Sequence, residues 1–199
     1  MNSRRHLIEA FKQAVIQSSN NPDFIHHPWF VQYHLVIVEQ IAEELLEHYP
    51  DADKDLVRVL VWLHDYGKTI DFDNQYEATL VEGKKKLQEI GFDTAFVNEA
   101  IRSVEAIDKK MEIDLKQESI EVQIVSSADG CSHYVGPFLH FWWWEHPKKN
   151  GKELMDDNRY KITKDWTRKI VLPEARAAFE ARYTFLLEQA GDLPAKFLD

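Results

Sequence analysis

The sequence predicts an all-α fold, a helical bundle with a helical extension at its C-terminus. Three observations carry this. Apolar residues recur at three-and-four spacing along most of the chain, strand-like alternation is scarce, and the 199 residues include only seven Gly and seven Pro. Residues 4–18 place Leu7, Ile8, Phe11, Ala14 and Val15 on one stripe, and a polar loop through Asn20, Asn21 and Pro22 follows. Residues 30–48 form a longer helix with Ile37, Val38, Ile41, Ala42, Leu45 and Leu46 inward, ended by Pro50, which has no amide hydrogen to extend the ladder. Asp53 or Asp55 caps a third helix, whose stripe of Leu56, Val57, Leu60, Val61 and His64 stops near Gly67.

From Asn74 to Ile90 a helix carries a charged face, with Lys84, Lys85 and Lys86 read as solvated, and Gly91 sits where a C-terminal cap belongs. Asp93 to Ile107 continues through Phe96, Val97, Ala100, Ile101 and Val104. Residues 118–131 alternate like a strand at Ile120, Val122 and Ile124, but their acidic start and Ala128 favour a helix. Beyond Gly136 comes an aromatic burst, read first as packing and next as a subunit contact, then a polar turn, then a final helix from about Leu172 to Ala190 with Pro173 in its first turn. No linker rich in Gly, Ser or Pro separates units. The chain reads as one domain over 1–199, with a motif-bearing core at about 25–135 and a C-terminal cap at about 137–199.

Composition then excludes several classes. With 44% hydrophobic and 12% aromatic residues the chain is neither collagenous nor low-complexity. The 24 Lys and Arg against 34 Asp and Glu give a formal charge of −10, which repels long nucleic acids and anionic membranes. One cysteine, Cys131, permits no intramolecular disulfide and no Cys-rich zinc cluster, so a cytoplasmic location is expected. The N-terminal segment mixes Glu, Lys and Gln into its apolar residues, and no window reaches the ~18 apolar residues of a membrane span.

The chemistry lies in Trp62-Leu63-His64-Asp65-Tyr66-Gly67-Lys68, where adjacent His and Asp end an apolar helix. A buried, unpaired carboxylate is costly, and a cation removes that cost. His34 lies four, seven and eleven residues before Val38, Ile41 and Leu45, so it projects from the apolar stripe. Asp129 lies seven and four residues after Val122 and Val125, on the inner face of its own helix. Three helices therefore aim metal-competent side chains inward, and Asp65 adds a fourth.

The ordered pattern His34, His64-Asp65, Asp129 resembles the HD superfamily of metal-dependent phosphohydrolases over roughly residues 25–135. That resemblance implies an HD-domain helical bundle and one divalent cation, whether Mn, Co, Ni, Fe, Zn or Mg, held by His34, His64, Asp65 and Asp129. It also implies hydrolysis of a small phosphorylated substrate such as a nucleotide, with Asp65 and Lys68 as catalytic residues. Two imidazoles and two carboxylates suit such a cation, which activates water and neutralises phosphoryl charge. Lys68 either holds a phosphate oxygen or is a surface lysine at a helix end. His133, four residues past Asp129, either reaches substrate or is a satisfied inner histidine. The helices at 75–90 and 95–107 contain no histidine, which favours one metal over two. No acidic residue directly follows the His-Asp pair, so the proton donor is open among Asp71, Glu77 and Glu105. The alternative reading is a non-catalytic metal- or nucleotide-binding module acting as a sensor. The aromatic burst, read first as packing, also leaves a homodimer open as an assembly.

Overall fold

The computed structural model describes residues 4–196 and 198. Helix α1 (Arg5–Ser19) is followed by a π-helical turn (Val31–Leu35) that runs directly into α2 (Val36–His48). Then come α3 (Lys54–Leu63), a 3-10 turn (Tyr66–Thr69), α4 (Gln75–Ile90) and α5 (Thr94–Asp108). After a short 3-10 turn (Leu115–Gln117) the chain forms α6 (Ile120–Ser132), α7 (Phe138–Glu145), α8 (Gly151–Lys164), a second π-helical turn (Asp165–Lys169) and α9 (Pro173–Gln189). No strand occurs among the described residues.

Side-chain oxygens start these helices where the sequence places them. Asp53 accepts from the amides of Asp55 and Leu56, each at 3.0 Å, and Asp93 accepts from Phe96 at 3.0 Å. At the other end of α4, Gly91 takes φ 104°, the left-handed conformation that stops a helix cheaply only without a Cβ.

Helices α3 and α6 form the centre. Seven consecutive or near-consecutive residues of α3, from Leu56 to Leu63, are buried, and α6 is buried continuously from Ile124 to Ser132. A helix covered on all sides has no single apolar stripe, which is why 118–131 resembles a strand in sequence. Helix α2 packs on α6, and α1 and α5 pack on α3. The final helix α9 buries only Ala175 fully, laying Phe179, Tyr183, Leu186 and Leu187 partly buried against the core.

One stretch departs from the sequence reading. The polar turn after the aromatic burst is present at 146–150, but the chain beyond it, given no element in sequence, forms α8, opened by a reciprocal cap in which the Asn150 side chain accepts from the Glu153 amide at 3.1 Å and Glu153 accepts from the Asn150 amide at 2.8 Å. Only Leu154, Asn158 and Ile162 of α8 are buried, so its apolar stripe is thin. No helix among the described residues is long and apolar enough to cross a membrane.

Candidate active site

Four inward side chains converge between α2, α3 and α6. His34 sits in the first π-helical turn, a rare geometry that recurs at functional sites. His64 and Asp65 leave the end of α3, and Asp129 lies in α6. The turn after Asp65 is pinned to α4, because the Gly67 amide donates to Thr79 Oγ1 at 3.0 Å. A Cβ on Gly67 would lie 2.0 Å from the Gln75 carbonyl oxygen, so this close approach needs glycine.

His34 Nε2 lies 3.2 Å from Asp65 Oδ2 and 3.8 Å from Asp129 Oδ1. His64 Nε2 lies 3.7 Å and 3.9 Å from the same two oxygens. The opposite ring nitrogens fix the tautomers. His64 Nδ1 is 2.8 Å from the Val61 carbonyl, which can only accept, so the proton is on Nδ1. His64 Nε2 therefore presents a lone pair, and it is buried with no hydrogen-bond partner. Ser132 Oγ donates to the Asp129 carbonyl at 2.7 Å and so accepts from His34 Nδ1 at 3.0 Å. Burial lowers the His34 pKa, against the opposing pull of its hydrogen bond to Asp65, and so favours the neutral ring. Two imidazoles and two carboxylates therefore meet here, with His34 Nε2 in hydrogen-bond contact with Asp65 Oδ2 and His64 Nε2 left without a partner. This donor set fits a divalent cation, with Val61 and Ser132 holding the imidazoles in their ligating tautomer.

A second layer of charge surrounds the four. Lys169, buried in the second π-helical turn, donates to Asp129 Oδ2 and leaves Asp129 Oδ1 toward the imidazoles. Lys68 Nζ lies 2.6 Å from Asp65 Oδ2. Despite burial, which opposes it, Lys68 holds the Asp65 carboxyl well below its usual range, and Lys169 does the same for Asp129. His133 stacks on His34 with ring centroids 5.1 Å apart, and its Nε2 lies 3.4 Å from Asp129 Oδ1. Its Nδ1 faces Asp165 Oδ2 at 2.8 Å, an oxygen that also accepts from Lys161 at 2.6 Å. Burial, with Lys161 beside it, lowers the His133 pKa well below the usual value, so the ring stays neutral. His34, Asp129 and His133 also lie close enough to share a cation.

These groups floor a cavity of about 440 Å³. Lys68, Lys110, Lys161, Lys164 and Lys169 line it together with an aromatic wall that includes Trp29, Phe72, Phe138, Trp142 and Tyr160. The two sets interleave: Lys161 Nζ lies 5.5 Å from the Phe138 ring centroid and Lys164 Nζ 5.4 Å from that of Tyr160. Glu145 ties that wall together by accepting from Trp29 Nε1 at 2.7 Å and facing His26 Nδ1 at 2.8 Å.

The four residues His34, His64, Asp65 and Asp129 are thus brought together as the sequence suggests, and Lys68 and His133 join them. Lys68 is not a free surface cation; it is engaged by Asp65. The three carboxylates considered as proton donors do not line the cavity: Asp71 is exposed and accepts from Asn74, Glu77 is exposed, and Glu105 pairs with Lys109 at 2.6 Å. The basic tail of this acidic chain, Lys161, Lys164 and Lys169 among it, reads in sequence either as closing over an anionic substrate or as pairing with carboxylates; Lys161 pairs with Asp165 and Lys169 with Asp129 while all three lysines also line the cavity. Sequence reasoning missed Asp165 as part of the centre and Asp108 as a cavity residue. The aromatic burst is also divided: Trp142 and Phe138 line the cavity, while Trp144 is 61% exposed.

The fold and site together define an all-helical bundle whose buried His and Asp donors can hold a cation. The chain belongs to the HD domain family, whose model matches residues 31–133, more than half of its length. A curated relative, the 3'-5' exoribonuclease YhaM of Shouchella clausii (strain KSM-K16), is 28% identical over 138 residues. That match covers 67% of this chain and 40% of the relative. No solved structure matches the chain.

Proposed function

We propose that this chain is a single-metal phosphohydrolase acting on the phosphate ester or anhydride of a small phosphorylated molecule, a nucleotide. One divalent cation would be held by His34, His64, Asp65 and Asp129. The observation that carries the reading is the bare Nε2 of His64, buried without a hydrogen-bond partner and 3.7 and 3.9 Å from two carboxylate oxygens, in a cavity lined by lysines and aromatic rings. When bound, the cation would supply a nucleophilic water at neutral pH and neutralise phosphoryl charge. Lys68 and Lys164 line the cavity and would meet phosphate oxygens as point charges. Trp142, Phe72 and Trp29 offer flat apolar surface to a base. Lys169 keeps Asp129 ionised and turned toward the imidazoles, and Asp165 keeps Lys161 and Lys169 in place.

The relative's name favours a second substrate, the 3' end of an RNA. That substrate runs against the small-molecule expectation, which the −10 charge supports by repelling a long polyanion. The same cavity would then take the terminal nucleotide only.

The deciding assay presents nucleoside mono- and triphosphates, a phosphodiester, an aryl phosphate and a short RNA to the full chain with Mn, Co, Ni or Mg. Turnover of mononucleotides in preference to RNA is expected. Release of nucleotides from RNA alone would select the second substrate, and binding of metal and nucleotide without turnover would leave the non-catalytic module.

A further inference from the structure

Five carboxylates line the cavity, and four are engaged. Asp65 and Asp129 are taken by Lys68 and Lys169, Glu145 by Trp29 and His26, and Asp157 by Lys149 at 2.5 Å. The fifth is Asp108, the last residue of α5. Its Oδ2 is buried and has no hydrogen-bond partner among the described residues. A carboxylate without a donor in such a place is poorly solvated, whereas a carboxylic acid there can give its proton to an incoming oxygen.

We propose that Asp108 is the proton donor to the leaving group, and that the substrates are phosphate esters of ordinary alcohols, such as a sugar hydroxyl, whose leaving oxygen needs a proton. This rests on the phosphohydrolase reading above. In the step, the bond between phosphorus and the ester oxygen breaks as that oxygen takes the Asp108 proton and departs as the alcohol. The oxygen of water forms the new bond to phosphorus. One water proton stays on the phosphate product, and the other passes through solvent to restore Asp108.

The surroundings suit an acid working near neutrality. Burial pushes the Asp108 carboxyl up to about 7, with the nearby Lys110 opposing and the negative charge of Asp65 assisting. Lys68 and Lys169 also face it and pull the other way. Helix α4 adds Gln75 and Tyr76 to the cavity wall, and α6 adds Asp129. None of the donor candidates suggested by sequence shares this position. Asp108 escapes notice because Asp-Lys-Lys at a helix end reads as an ordinary charged loop.

The test compares the full chain with Asp108→Asn and Asp108→Glu, loaded with Mn, on a nucleoside 5'-monophosphate and on 4-nitrophenyl phosphate, whose leaving group departs without a proton. Asp108→Asn should slow the nucleotide ester about 10²- to 10³-fold and the aryl ester less than about 3-fold, with partial rescue by Glu. The fall in kcat above about pH 7 should vanish in Asp108→Asn. Difference infrared spectra of the unreacted protein should show a protonated carboxyl titrating near neutral pH, absent in the Asn variant. Equal slowing of both esters, no slowing of either, or no such carboxyl would overturn the assignment while wild-type turnover leaves the hydrolase intact. A wild-type chain that binds Mn and hydrolyses neither ester would overturn both together.

Discussion

Replacing Lys169 by Met should destabilise the metal-free protein by about 3–5 kcal/mol at pH 7, the usual consequence of leaving one charge of a buried pair alone. The Lys169 side chain is 8% exposed, and the carboxylates it serves, Asp129 and Asp165, are 5% and 0% exposed. Asp165 keeps Lys161 at 2.6 Å, but Asp129 is left with neutral imidazoles at 3.4 Å or more. Methionine preserves the stem that packs near Gly130, and the residue 169 carbonyl can still accept from Ser126 Oγ at 3.1 Å, so the loss isolates the charge. With a urea slope near ~3 kcal/mol/M, the midpoint should fall by roughly 1–2 M in the presence of a chelator. The sign of the pH effect follows from both Asp carboxyls being depressed in the folded state. Their stabilisation is complete above the unfolded value of about 4 and is lost as pH falls through it toward the lower folded values. Without Lys169, Asp129 is less depressed and has less to lose, so the gap between the two proteins should narrow below about pH 4. A gap under about 1 kcal/mol at pH 7, or one that is the same at pH 3.5, would refute the reasoning.

Three further outcomes are expected. Ser132→Ala removes the group that fixes His34 Nδ1, and calorimetric titration should show divalent-metal affinity reduced about 10- to 100-fold; unchanged affinity would detach Ser132 from the centre. Gly67→Ala drives a Cβ to 2.0 Å from the Gln75 carbonyl oxygen and 2.5 Å from the Thr79 nitrogen, so backbone must move. The cost should reach about 3 kcal/mol and lower the Tm by roughly 6–12 °C, and a fall of less than about 3 °C would contradict the clash. Trp142→Ala removes one stacking surface, and KM for a nucleotide should rise about 5- to 100-fold while kcat on 4-nitrophenyl phosphate is retained; an unchanged KM would place the base elsewhere.

The helices carrying His34, His64 and Asp129 were legible because each holds its polar residue in phase with neighbouring apolar ones, and periodicity records that directly. The cavity's other half was not legible for a different reason. Lys161, Asp165 and Lys169 are charged residues on a thin amphipathic segment, and in sequence such residues are indistinguishable from a solvated face. Their burial depends on pairing with Asp129 and His133, about thirty to forty positions earlier in the chain. In sequence the His26 to Trp29 stretch allows either an entrance-lining role or a plain proline-started helix end; it lines the cavity through a partner, Glu145, that lies 119 positions from His26 and that local sequence does not indicate.

The placement of Lys169 also bears on how this protein can be cut and recombined. The family match ends at residue 133, a natural place to draw a boundary for a fragment or a fusion. A piece ending there would keep Asp129 but discard its ammonium partner. It would also strip Ser127, whose Oγ accepts from the amides of Val171 and Leu172 at 3.1 and 3.2 Å. The half that matches the family is therefore not a portable unit. A chimera that transplants it should carry the chain through at least α9, or supply its own buried cation beside α6.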